Sequence, residues 1–125
     1  MIKGIESVLL SSESAKKLAE FYREVVGLEQ GEVVEMGENN EEGYEFKTGT
    51  VGIFIMDHSG IKGKNTQGAR VMFNLEVDDI EKEVERVKGA GAKVITETYH
   101  LEGYGYIATF EDVDGNYFQF VQVKA

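Results

Sequence analysis

Few side chains in this 125-residue sequence have types that do chemistry, and their spacing narrows the field quickly. Without a single cysteine there is no thiolate nucleophile, no disulfide and no cysteine-based zinc cluster. The two histidines, His58 after the apolar "IMD" and His100 beside Tyr99, have no serine partner nearby in sequence, so a Ser-His-Asp arrangement has no visible pair to start from. The glycines of "EGYGYIA" are not followed by Lys-Ser or Lys-Thr and do not form a phosphate loop. What remains is carboxylate and aromatic chemistry. Glu76 alternates with Met72 and Asn74 along "VMFNLEV", which makes it a candidate functional charge or general base, its other reading being a rim carboxylate in water. Tyr99, Tyr104 and Tyr106 can stack on a flat ligand or serve as ordinary strand core. A metal set drawn from His58, His100, Glu76 and Gln119 would combine imidazole with carboxylate, although lone loop histidines are more often solvated than ligating.

Charge narrows the partners further. A net charge of −10 repels phosphate backbones and anionic membrane surfaces, which excludes nucleic acid and membrane as expected partners. Much of the acid falls in a weakly periodic series, Glu29, Glu32, Glu35, Glu38, Glu41, Glu42 and Glu45. It is either a solvated surface or an attraction for a cationic ligand. No run approaches the roughly 20 apolar residues that span a bilayer, and no basic segment leads into an apolar one, so a soluble, unprocessed, cytoplasmic protein is expected.

These residues need elements to position them. "IESVLLSS" has the apolar content of a strand, and "SAKKLAEFYREVVG" places Leu18, Phe21, Tyr22 and Val25 at helical spacing between a Ser14 cap and a Gly27 stop. "EQGEVVEM", "YEFKTGT" and "VGIFIMD" follow as strands, and "HSGIKGKNTQG" as a linker. The plan then repeats: "ARVMFNLEV" as strand, "DDIEKEVERVKGAG" as helix with Asp78 and Glu81 at capping-box spacing, then "AKVITETY", "YGYIATFED" and "NYFQFVQV". The expected fold is α+β: one domain over residues 1–125, built of two βαβββ modules (about 1–58 and 69–125, linker 59–68) that form a curved, mostly antiparallel eight-stranded sheet around a cavity. Helices are expected near residues 14–26 and 79–89. In residues 71–77 the apolar set Val71, Phe73, Leu75 and Val77 should lie under a helix, and Met72, Asn74 and Glu76 should face the cavity.

In this order and spacing, "AEFYREVVGLE", "FNLEVDDIEKEVERVKGAGAKV" and "FEDVDGNYFQF" resemble the vicinal oxygen chelate superfamily, which contains glyoxalase I, extradiol dioxygenases and bleomycin-resistance proteins. The resemblance covers nearly the whole chain. Metal-dependent members place His or Glu at four strand positions, which the resemblance carries to Ser7, Phe54, Met72 and Gln119. Serine, phenylalanine, methionine and a neutral amide offer a divalent ion no charge, so no metal and no cofactor is expected there. The resemblance then implies a metal-free binding protein like the drug-sequestering members, a homodimer holding a small molecule in a cavity or dimer groove. An acidic, aromatic lining suits a cationic or aromatic ligand. Its contacts are expected from Ser7, Phe54, Met72, Asn74, Glu76, Tyr104, Tyr106 and Gln119. The alternative is a glyoxalase-like lyase or isomerase with Glu76 as catalytic base, metal-independent or with a displaced metal.

Overall fold

The computed structural model describes residues 1–36 and 39–123, and Glu38 of the glutamate series lies outside them. The chain divides into two compact units, Met1–Gly63 and Lys64–Ala125. The first contains β1 (Ser7–Ser12), α1 (Ala15–Phe21), which runs into a π-helical turn (Tyr22–Val26), β2 (Glu29–Met36), β3 (Glu41–Lys47) and β4 (Gly52–Asp57). The second contains a 3-10 turn (Gly68–Arg70), β5 (Phe73–Glu76), α2 (Ile80–Gly89), β6 (Lys93–Leu101), β7 (Gly105–Glu111) and β8 (Tyr117–Val123). The α+β class and the doubled βαβββ order are as expected. The expected eight-stranded sheet is instead two four-stranded sheets, ordered β1-β4-β3-β2 and β5-β8-β7-β6. Each is mixed, because the helix carries the chain from the first strand of its unit to the far edge, and the last strand returns parallel to the first.

Local chemistry sets both helices. The Ser14 hydroxyl accepts from the Lys17 N–H, and the chain leaves the π-helical turn at Gly27, whose φ of 91° suits a residue without Cβ. In the second unit the cap is Asp79, accepting from the Lys82 N–H, one residue later than the expected Asp78 box. Leu18, Ala19 and Tyr22 then bury against Phe46, Ile53 and Ile55, and Ile80, Val84 and Val87 bury in the second unit, whose sheet contributes Ala108, Phe110, Phe118 and Phe120 to its core. Three of those phenylalanines form a ring cluster with centroids 5.5 to 6.0 Å apart.

One other expectation is corrected. The strand placed over residues 69–77 is a strand only at Phe73–Glu76, since Gly68–Arg70 turns as 3-10 helix. Gly68 is buried, and a Cβ there would strike the Gly115 carbonyl and the Tyr117 ring. The end of the glycine-rich segment is also strapped down: the Asn65 N–H donates to the Asp114 carbonyl at 2.7 Å and its side chain to Asn116 at 3.0 Å. Asp112 holds that turn from within, accepting from the N–H groups of Asp114 and Asn116. Among the described residues no helix is long and apolar enough to cross a membrane.

Candidate functional site

The parallel pair β5–β8 sorts the second unit into two faces. Phe118 and Phe120 are buried with Phe73 and Leu75 as their register partners, and Gln122 Oε1 accepts from the first α2 amide, Ile80, at 2.8 Å. Those positions face the helix. Asn74 and Gln119, paired in register, therefore lie on the opposite, helix-free face, as the period-two pattern predicts. Gln119 Nε2 donates to Thr109 Oγ1 at 2.8 Å, and Thr109 is buried and paired with Thr96. Asn74, Gln119, Thr109 and Thr96 thus make one row of neutral polar side chains across all four strands. Met72 stands just before β5, exposed, and Glu76 is exposed at the far end of β5.

The first unit repeats the frame with other side chains. Asp57 takes the place of Gln122: one carboxylate oxygen accepts from the first α1 amide, Ala15, at 2.8 Å, and the other from the Glu42 N–H at 2.9 Å. Ala15 and Ile80, and Asp57 and Gln122, are the same 65 positions apart (80 less 15, 122 less 57). That spacing carries Phe54 to Gln119 and Ser7 to Met72, which fixes the alignment at residue 54. Phe54 lies on the helix-free face between Leu9 on β1 and Glu45 on β3, and Ser7 is on that same face two residues before Leu9. Glu45 folds over Gly31, where any Cβ would meet its Oε1. Sequence periodicity did not single out Glu45, because its neighbours in the glutamate series are spaced as a wet surface. A buried tyrosine sits behind it: Tyr44 donates to Glu42 at 2.8 Å, and burial, with the neighbouring Glu42 charge, pushes its phenol up to about 12.

The divalent-metal positions of the family do not fit a metal in this chain. Ser7, Phe54 and Met72 supply no anionic or imidazole ligand, and Gln119, whose Nε2 donates to Thr109, offers only a neutral amide oxygen. The displaced set also comes apart: His100 and Glu76 line a cleft in the second unit, while His58 lines another in the first, its Nδ1 accepting from the Gly60 N–H at 2.9 Å. Among the described residues no three His, Asp or Glu side chains stand close enough to hold a metal ion.

The tyrosines divide as well. Tyr106 pairs with Gln122 on the α2 side of the sheet, away from Gln119, and its ring packs on His100 at 4.9 Å. Tyr104 is half-buried in the β6–β7 turn, and Tyr99 is exposed. The cleft at the C-terminal ends of β5 and β8 has a volume of about 390 Å³ and is lined by Glu76, Asp78, His100, Tyr106 and Gln122. Asp78 and Gln122 line it as well; in the sequence Asp78 carries only a helix-cap signal, and no pattern singles out Gln122.

Residues 4–120 match the family model described as the Glyoxalase/Bleomycin resistance protein/Dioxygenase superfamily, which bears out the resemblance read from the sequence. A comparison with curated proteins finds no match. Among solved structures, UcmS2 is similar at a TM-score of 0.80 and 19% identity, covering 97% of this chain and 98% of its own. TnmS3, an antibiotic binding protein from Streptomyces sp. CB03234, is similar at 0.76 and 19%, covering 98% of each chain. The fosfomycin resistance protein FosX from Listeria monocytogenes is similar at 0.77 and 18%, covering 99% of this chain and 96% of its own. At these identities the likeness is one of fold.

Proposed function

Because the chain belongs to the glyoxalase, bleomycin resistance protein and dioxygenase superfamily, we propose that it is a metal-free, small-molecule-binding member, cytoplasmic and homodimeric, of the drug-sequestering kind. The observation that carries this is the row Asn74–Gln119–Thr109–Thr96. At the place where metal-dependent relatives set a ligand, this chain has a glutamine held by a buried threonine, a pairing suited to hydrogen-bonding an organic ligand and unsuited to an ion. The fold likeness to an antibiotic binding protein and a fosfomycin resistance protein supports a small-molecule ligand. Sequestration needs affinity alone. On the second unit the proposed contacts are Met72, Asn74 and Gln119; on the first, Ser7 and Phe54 stand at the corresponding strand positions. No observation favours the lyase or isomerase alternative, since Glu76 stands exposed at its strand end.

The test is a thermal-shift series on the full chain. Nickel, cobalt and zinc leave the melting temperature unchanged, a panel of planar drug-like compounds includes some that raise it, and Gln119→Ala removes that rise. Tight binding of one metal ion per chain to the unaltered protein would overturn the proposal. Light scattering at tens of micromolar protein tests the dimer, and a mass near 13.9 kDa would count against it.

A further inference from the structure

On the helix-free face of the second unit, the strand registers set three rows of side chains next to one another. The middle row is Asn74–Gln119–Thr109–Thr96. On one flank stand Tyr117, Glu111 and Lys93, and the two charges there pair with each other at 3.1 Å. On the other flank stand Glu76, Val121, Ile107 and Tyr99. Although α2 packs on the opposite side of the sheet, Thr109, Ile107 and Val121 are only 5%, 6% and 2% exposed, whereas Asn74, Thr96, Glu76 and Tyr99 at the row ends are exposed. The face is thus recessed in the middle, with an apolar floor beside the neutral polar row. The hydrogen-bonding capacity of that row is only partly used. Gln119 Nε2 donates to Thr109 Oγ1 at 2.8 Å, and among the described residues neither the Gln119 nor the Asn74 side chain makes another hydrogen bond. A carboxamide carries two N–H donors and an oxygen with two lone pairs, so Gln119 keeps its Oε1 and one N–H. Asn74, one strand away at about 4.8 Å, keeps its whole amide.

We propose that this row recognises a neutral ligand through a lactam, imide or carboxamide edge, an N–H and a C=O side by side, with the ring that carries it lying over Val121 and Ile107. The ligand N–H donates to Gln119 Oε1, and its carbonyl accepts from the N–H groups of Gln119 and Asn74, so bonds to water are exchanged for bonds to the row. An anion or a quaternary cation would lose hydration with no opposite charge to replace it. Lys93 and Glu111 already neutralise each other, and Glu76 stands exposed at a row end, where water screens it. The proposal rests on the small-molecule-binding reading of the same row and adds to it the ligand class.

The experiment is an NMR titration of the full chain with four compounds on one planar ring: 2-quinolinone, N-methyl-2-quinolinone, quinoline-2-carboxylate and N-methylquinolinium. 2-Quinolinone shifts the side-chain amides of Gln119 and Asn74 and the backbone amide of Thr109, and it binds at least about fivefold more tightly than its N-methyl derivative, which lacks the donor. The carboxylate and the quinolinium shift none of these signals. Gln119→Met erases the preference for the N–H compound, and Asn74→Ala, a change at an exposed position that leaves the fold intact, weakens 2-quinolinone by about threefold. Equal binding of the N-methyl compound, binding of either ion at Gln119, or an unchanged preference in Gln119→Met overturns the inference. The two readings fail separately. A drug-like compound without an amide edge that moves Gln119 and Thr109 while 2-quinolinone does not removes only this inference. A drug-like panel in which no compound at all reaches Gln119 removes the small-molecule reading as well.

Discussion

β4 and β8 occupy the same place in their units, each beside a parallel edge strand and under a helix tied to it by one side-chain oxygen, yet they present Phe54 in one and Gln119 in the other. The rows through these residues differ accordingly. In the first unit Leu9, Phe54 and the Glu45 carboxylate over Gly31 follow one another; in the second, Asn74, Gln119, Thr109 and Thr96 do. The helix-facing side is held to one solution because a helix must bury an apolar stripe and satisfy its first amides. The helix-free side has no such demand, so there the two units diverge in chemistry while keeping the register.

The comparison is most exposed to attack in the cores. Phe118→Ala removes a fully buried ring from the three-ring cluster and should lower the unfolding free energy by about 3–5 kcal/mol, and Phe46→Ala in the first unit by a similar amount. Urea unfolding measures both. A loss under about 1 kcal/mol at either position would mean that unit is not held by its helix-facing core.

The helix anchors should separate the units next. Asp57→Ala strands two backbone donors and should cost about 2–3 kcal/mol, whereas Gln122→Ala strands one and should cost about 1 kcal/mol. Equal losses in chemical denaturation would show that the second Asp57 bond, to Glu42, contributes nothing.

Smaller still is the contact peculiar to the first unit. Gly31→Ala sets a methyl against the Glu45 carboxylate and should destabilise by about 1 kcal/mol, an effect that Glu45→Ala in the same chain relieves. A double-mutant cycle with no coupling would place Glu45 elsewhere.

The last difference is silent at neutral pH. The Tyr44 phenol, raised to about 12 by burial and by Glu42, keeps its proton in the folded protein after an unfolded tyrosine has lost its own near pH 10. Its contribution is therefore complete below about pH 10 and lost as pH rises through about 12, because the folded state then binds the extra proton. Absorbance titration should show a late-ionising tyrosine that Tyr44→Phe removes, and Glu42→Gln should bring it to lower pH. If Tyr44→Phe leaves the late part of the titration unchanged, the Tyr44–Glu42 bond is absent.

By itself the sequence determined the elements and their order. Helical spacing from Leu18 to Val25, the stop at Gly27 and the alternation through Phe73 and Leu75 are local signals, and local energetics honours them in the structure. The three quoted segments were also enough to identify the family and, through it, the place of Gln119. Only the tertiary structure decided what that place contains. Whether Gln119 meets a proton acceptor depends on the register of β7 against β8, which sets Thr109 opposite it, and no periodicity within either strand carries that information. The same holds for the strand ends: Asp57 is engaged because two backbone segments converge on it, and Glu76 and Asp78 share a cleft with His100 and Tyr106 because β5 and β8 end where β6 turns into β7. Such contacts join residues remote in the chain, and packing rather than sequence spacing brings them together.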